Sequence, residues 1–461
     1  MLHYQGLAET ADHLACGDLR AVVLTEALLD RIARLDPQLR AFVTVTADRA
    51  LDMARRADEA LANGMRLGPM HGVPIAVKDL FDIAGVANTA GMPIRSRAIA
   101  TQTATVIRRL EAAGAVLLGT LRLSEGVFGE YLPPGSTPRN PWDAGLWPGA
   151  SSGGSAVAVA AGLCFGSIAS DTGGSIRMPS SVTGLTGLKP GWGRVSRHGV
   201  FELAASLDHV GPIARSARDA ALLMDVISGD DPQDPTSLAL PATRALRDLG
   251  LPLRGLRFGF DPAWLEQVDP EVAACHAGLC ADLAAEGAER VELRLPDWRG
   301  LAAAWYRICA AQAALAHRDS FARHRDDYGQ ALAGLIEQGA RLSALDLQAA
   351  LQRRLDFTSR LIRALAGVDA LVLPVFPFRA PRLSDVAAMD EATILDLHRF
   401  TCPVSLAGLP AITFPTGFDS AGAPVGMQLI GLPQTEEVLL RLAHRYQCGT
   451  SHHEIHPAAW P

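Results

Sequence analysis

Hydrophobic positions along the chain switch between two periods. Leu24, Leu28, Ile32 and Leu35 recur at helical spacing, which predicts a helix that Pro37 ends. Residues 41–45 read as a strand, and residues 47–61 as a second helix closed by Asn63-Gly64. Residues 73–81, VPIAVKDLF, are almost continuously apolar. That is the pattern of a buried strand, with Lys78 near its end. Residues 103–113 predict a helix with Val106, Ile107 and Leu110 on one face, stopped by Gly114 and followed by a strand over 115–118. A strand–helix–strand order implies a parallel or mixed sheet.

Residues 124–143 are loop-like, with Pro133-Pro134-Gly135 and Asn140-Pro141-Trp142. Residues 155–163 carry mostly small side chains, so that helix must be buried, and a short strand follows over 164–169. Ser216 caps an amphipathic helix through Ile227. The polar, proline-rich run 230–253 marks a surface excursion. A strand over 256–260, a helix near 270–285 and a strand over 290–295 then resume the alternating rhythm. Residues 301–366 are helical almost throughout and read as a cover over a sheet. Strands at 370–374 and 425–430 and a closing helix at 435–446 complete the pattern. No tandem repeat or flexible linker interrupts it. The reading is one large α/β domain.

Composition narrows the function classes. The 461 residues are 49% hydrophobic with a net charge of −7, enough for a large core. No basic run points to nucleic acid or an anionic membrane. Residues 1–10 lack a basic segment followed by an apolar one, so no signal peptide is expected. The apolar stretch 301–317 is broken by Arg307 and Gln312 and is too short to span a bilayer. Seven scattered cysteines form no CxxC pair, which fits reduced thiols in a cytoplasmic protein. Of 42 Lys plus Arg residues, only Lys78 and Lys189 are lysines. Where arginine serves for charge, a retained lysine is a candidate for a role that needs proton loss. Retention for packing is the plainer alternative.

The candidate chemistry lies in residues 149–190. Ser151 sits in Gly149-Ala150-Ser151-Ser152-Gly153, and Ser175 in Asp171-Thr172-Gly173-Gly174-Ser175-Ile176-Arg177, 24 residues later. Glycine lets backbone adopt positive φ and approach a ligand closely. A serine in such a turn has an exposed hydroxyl beside free peptide N–H groups, which is what acyl transfer requires. The first loop matches the G-x-S-x-G elbow of α/β-hydrolases, but that elbow follows a hydrophobic strand, and here residues 140–148 are turn-rich. Asp171-Thr172-Gly173 lacks the second D-[TS]-G of an aspartic protease. The glycine loop lacks the G-K-[ST] of a phosphate-binding loop. Neither lysine has a serine three residues before it, and no histidine stands in an evident triad context.

Taken together, the motifs resemble the amidase signature family. The resemblance is carried by Gly72-Val73-Pro74-Ile75-Ala76-Val77-Lys78-Asp79, Ala150-Ser151-Ser152-Gly153-Gly154-Ser155-Ala156, the Asp171–Arg177 run and Gly187-Leu188-Lys189-Pro190. Weaker support comes from residues 406–411 and 424–431, so the resemblance covers nearly the whole chain. It implies an α/β/α domain around a large twisted mixed sheet with helices on both faces. The N-terminal helices would occupy 1–65, the catalytic core about 66–228, and the helical excursion about 299–366, with the sheet completed by 367–461. It also implies Lys78 as catalytic lysine, Ser151 as bridging cis-serine and Ser175 as nucleophile. Ala150 stands where the family commonly has glycine.

On this basis the expected activity is hydrolysis of a small-molecule amide, extending to esters or carbamates, without metal or other cofactor. The oxyanion would be held by backbone N–H groups of Thr172, Gly173, Gly174 and Ser175. Ser152, Asp171 and Arg177 would brace the loops, with Ser155 a further candidate; Lys189 is read as structural. Asp79 should point away from Lys78 across the strand. Candidate pocket walls are Phe128, Tyr131, Trp305, Tyr306, Phe376 and Phe378, which favour an apolar or aryl substrate, although aromatic residues near a core usually pack. The alternative is the glutamine-hydrolysing subunit of a tRNA-dependent amidotransferase, which would need a partner protein. A homodimer is expected on general grounds.

Overall fold

The apolar runs become the strands of one sheet. In the computed structural model, which describes residues 2–460, the strands are β1 (Phe42–Val45), β2 (Pro74–Lys78), β3 (Val116–Leu121), β4 (Gly166–Asp171), β5 (Thr186–Lys189), β6 (His209–Ala214), β7 (Arg257–Phe260), β8 (Glu289–Glu292), β9 (Ala370–Pro374), β10 (Ala411–Phe418) and β11 (Pro424–Ile430). Their order is β1-β3-β2-β4-β6-β5-β10-β11-β9-β7-β8. β3, β2 and β4 run parallel, as do β9, β7 and β8, and the strands between these groups are antiparallel. Every residue of β2, β3, β4, β6 and β11 is buried. Burial on both faces explains runs without alternation.

Helices cover both faces, giving the α/β fold. Ala217–Ile227, Pro270–Ala285 and Glu436–Gly449 form one layer. On the other side, Arg177–Thr183 packs on β10 and β11 while Cys402–Ala407 joins the helical cover. That cover, read from sequence as nearly continuous over 301–366, is four helices: Leu301–Ala316, Arg318–His324, Gln330–Arg341 and Ala344–Leu365. The first helix of the pattern runs Ala21–Leu39 with Pro37 inside its last turn, and ends at Arg40 in a left-handed conformation (φ 57°). Near a helix end proline forfeits a single backbone bond, so it does not terminate the helix there. β5, β6 and β10 were not evident in sequence. β5 is only four residues long; β6 and β10 contain Pro212 and Pro415, and Pro415 lies at a register shift between β10 and β11. Among the described residues, no helix is long and apolar enough to cross a membrane.

The parallel pair β2 and β4 positions the site. Ala76 pairs with Ser167 and Val77 with Ile168, so both strands deliver their carboxyl ends to the same edge. Lys78 closes β2 and Asp171 closes β4, directly before the second glycine loop. Ligands in open α/β sheets bind at such strand ends.

Candidate active site

Lys78, at the end of β2, has no solvent exposure. Its Nζ lies 2.7 Å from Ser151 Oγ and 2.9 Å from Ser170 Oγ. Burial lowers the amine to about 7, against the opposing pull of the Asp171 and Asp208 carboxylates. A buried amine without an adjacent ion pair disfavours its charged form, so a substantial fraction is neutral at neutral pH. The adjacent Asp79 is engaged elsewhere: its carboxyl accepts from the Thr89 hydroxyl, and burial raises it to about 6.

Ser151 follows a cis Ala150–Ser151 peptide and lies two residues before the start of the helix Gly153–Ala160. The loop is tied from several sides. Ser124 N–H donates to Ser151 O, and Ser152 Oγ donates to Ser170 O at 3.2 Å. The Tyr131 hydroxyl donates to Gly149 O at 2.8 Å and accepts from Gly153 N–H at 3.0 Å. Tyr131 therefore braces the serine loop. Ser155 is fully buried, and its Oγ has no partner among the described residues.

The second glycine loop is built around a buried ion pair. Asp171 and Arg177 are both fully buried, with Arg177 Nε and Nη2 each 3.0 Å from a carboxylate oxygen. Burial would raise the Asp171 carboxyl, but the charge and hydrogen bonds of Arg177 override it and hold it well below the usual range. Arg177 also donates to Thr401 O, Ser405 Oγ and Gln428 Oε1, at 3.0, 2.8 and 3.2 Å. These bonds anchor the loop to the far half of the sheet. Gly174 has φ of 140°, where a side chain is strained, and a Cβ on Gly173 would come within 2.6 Å of the Trp305 ring.

Within residues 171–180, Ser175 alone is not buried. Its Oγ has no hydrogen-bond partner among the described residues, and it opens into a cleft of about 210 Å³ shared with Ser151. Of the four amides expected at the oxyanion, Gly174 N–H is turned to Asp171 Oδ1 at 2.8 Å. The N–H groups of Thr172, Gly173 and Ser175 make no hydrogen bond among the described residues. On the other side of that loop, Trp305 Nε1 donates to Thr172 O at 2.8 Å, and the Thr172 hydroxyl donates to Asp208 Oδ1 at 2.6 Å.

Of the expected wall residues, Phe128 and Trp305 line the cleft. Tyr306 faces a different depression with Gln338 and Glu391. Phe376 packs behind the wall, edge-on to Trp147 and stacked with Phe378. Trp147 itself lines the cleft, and so do Val386, Met389, Ile394, Leu397 and His398 from the segment after β9 that holds two short helices, Leu383–Ala387 and Glu391–Leu397. Sequence reading did not find this rim, because helices of five and seven residues carry too little periodicity. Among the described residues lining the cleft, none is Asp, Glu, Lys or Arg. Lys189 lies outside it, fully buried and donating to the carbonyls of Pro190 and Leu409.

The family model named Amidase matches residues 23–440, and the chain belongs to that family, whose members hydrolyse amide C–N bonds. Among similar proteins, the putative amidase AmiD of Mycobacterium tuberculosis is 43% identical over 453 residues, 98% of this chain and 95% of that protein. A glutamyl-tRNA(Gln) amidotransferase subunit of Synechococcus sp. (strain CC9311) is 40% identical over 474 residues, covering 96% of each. The native peptide amidase of Stenotrophomonas maltophilia has the same fold, with a TM-score of 0.83 at 29% identity over 97% of both chains.

Proposed function

We propose that the protein hydrolyses a small carboxylic amide through an acyl-enzyme on Ser175, with Ser151 and Lys78 as its proton relay. The observation that carries this reading is the 2.7 Å contact from a fully buried Lys78, its amine lowered to about 7, to Ser151 Oγ, in the cleft that also holds Ser175. Serine is a weak nucleophile at its own pKa and needs a base as the bond forms. Ser175 Oγ attacks the carbonyl carbon, its proton passes to Ser151 Oγ, and the Ser151 proton passes to neutral Lys78. The oxyanion is met by the unengaged N–H groups of Thr172, Gly173 and Ser175; one such donor is worth about 3–4 kcal/mol of barrier. As the C–N bond breaks, the proton returns through Ser151 to the leaving nitrogen. Water then attacks the acyl ester, gives its proton to the same relay, and releases the carboxylic acid and Ser175. The same steps extend to esters and carbamates.

A p-nitrophenyl butyrate assay tests this. A burst of p-nitrophenol stoichiometric with enzyme, absent in Ser175→Ala, is the expected result; a burst that survives the substitution would refute it. The seven cysteines are unpaired, which supports a reducing compartment, and we place the enzyme in the cytoplasm. A second reading, glutamine hydrolysis together with a partner protein, rests on the 40% identity to an amidotransferase chain. It predicts glutaminase activity that depends on the partner, and a cleft without charged side chains disfavours it.

A further inference from the structure

The rim of the cleft presents one titratable side chain that the relay does not use. His398 is partly buried directly after the helix Glu391–Leu397 and lines the same cleft as Ser175. Two contacts fix its ring. It stacks on Trp305 with centroids 5.8 Å apart and planes at 20°, and its Nδ1 lies 2.8 Å from Ile394 O. A carbonyl can only accept, so Nδ1 carries the hydrogen and the neutral ring keeps a lone pair on Nε2. Burial lowers the imidazole from its ordinary value, which favours that neutral form. Nε2 has no partner among the described residues. Ser124 Oγ, fully buried in the lining of the same cleft, also lacks one. Phe128, Val386, Met389 and Leu397 give that cleft apolar walls.

We propose that His398 is a specificity-determining residue whose Nε2 accepts a hydrogen bond from an uncharged O–H or N–H donor on the acyl part of the substrate, so that the cleft takes neutral amides of apolar acids bearing such a donor. The inference rests on Ser175 as nucleophile, since it places the acyl group in this cleft. A free amino acid would bring an ammonium and a carboxylate against a wall that offers no counter-charge to either, and burying unpaired charge is costly. An apolar acyl group with one donor leaves neither its own polar group nor Nε2 unsatisfied. A site built to bond a donor discriminates against the analogue lacking it.

The test uses two amide pairs that differ by one hydroxyl, phenylacetamide with mandelamide and 3-phenylpropanamide with 3-hydroxy-3-phenylpropanamide, together with L-glutamine. The wild type should prefer the hydroxylated member of at least one pair by about tenfold in kcat/KM, the effect of one good hydrogen bond. His398→Phe keeps an aromatic ring against Trp305 but offers no acceptor. It should bring that ratio to about one, and His398→Gln should restore part of the preference. No preference in the wild type, a ratio unchanged in His398→Phe, or glutamine turned over as well as the neutral amides would each overturn the inference. The p-nitrophenyl butyrate burst separates the two claims. An intact Ser175-dependent burst beside any of those results removes the His398 assignment alone. A burst independent of Ser175 removes the nucleophile assignment and this inference with it.

Discussion

Lys78→Met replaces the buried amine with a side chain of similar length that neither holds nor accepts a proton. Two effects follow, and both can be sized. In the wild type the fall from 10.5 to about 7 means that burial, net of the attraction of Asp171 and Asp208, disfavours charged Lys78 by about 5 kcal/mol. As general base the neutral form is required, and it makes up about a tenth of the enzyme at pH 6 and about nine-tenths at pH 8. Wild-type kcat/KM for a neutral amide should therefore rise about tenfold between those values and level off above. In Lys78→Met the activity should fall by about 10²–10⁴, the usual worth of a positioned base, and the rise near pH 7 should vanish. Stability follows the same proton. Between pH 7 and 10.5 the unfolded chain holds a proton that the folded chain has released, so wild-type stability gains with pH over that window, at about 1.4 kcal/mol per unit. Below pH 7 both states are protonated and the full penalty stands. Ser151 and Ser170 lose a partner in the variant at any pH, which costs a roughly constant amount. Lys189, the other buried lysine, is common to both proteins and cancels. Urea denaturation at pH 7 and 9.5 should show the wild type gaining about 3 kcal/mol on Lys78→Met. Denaturation curves that keep a fixed separation, with a wild-type kcat/KM flat through pH 7, would refute the reasoning.

Arg177→Met leaves the Asp171 carboxylate buried without its counter-charge, and should cost about 3–5 kcal/mol of stability by denaturation midpoint. Tyr131→Phe removes the hydroxyl that holds Gly149 O and Gly153 N–H; stability should fall by about 1–3 kcal/mol, and acylation of Ser175 should slow. Trp305→Phe removes the donor to Thr172 O. It should lower kcat/KM about fivefold, as for a hydrogen bond of about 1 kcal/mol that shapes the loop after β4.

The residues of the proposed relay stand out in sequence because they are of types that are rare or oddly placed. A lysine in a buried strand of an arginine-rich chain and two serines among glycines need a chemical reason. The core strands were legible where apolar runs carried proline only at a strand end, as in β2 and β9. They were hidden where the sheet tolerates proline: β6 carries Pro212, and β10 carries Pro415 at a register shift, and proline inside a run argues against a central strand. The cleft walls were the least legible part. Aromatic side chains drew attention to Tyr131 and Phe376, yet one braces the serine loop and the other packs behind Trp147. His398 owes its place to a backbone carbonyl four residues before it and to the distant indole of Trp305, and no local pattern encodes either.

Labelling with a serine-directed fluorophosphonate, followed by peptide mapping, tests the relay most directly. The account predicts one adduct, on Ser175, lost in Lys78→Ala. An adduct on Ser151, or one on Ser175 that forms at an undiminished rate without Lys78, would contradict it.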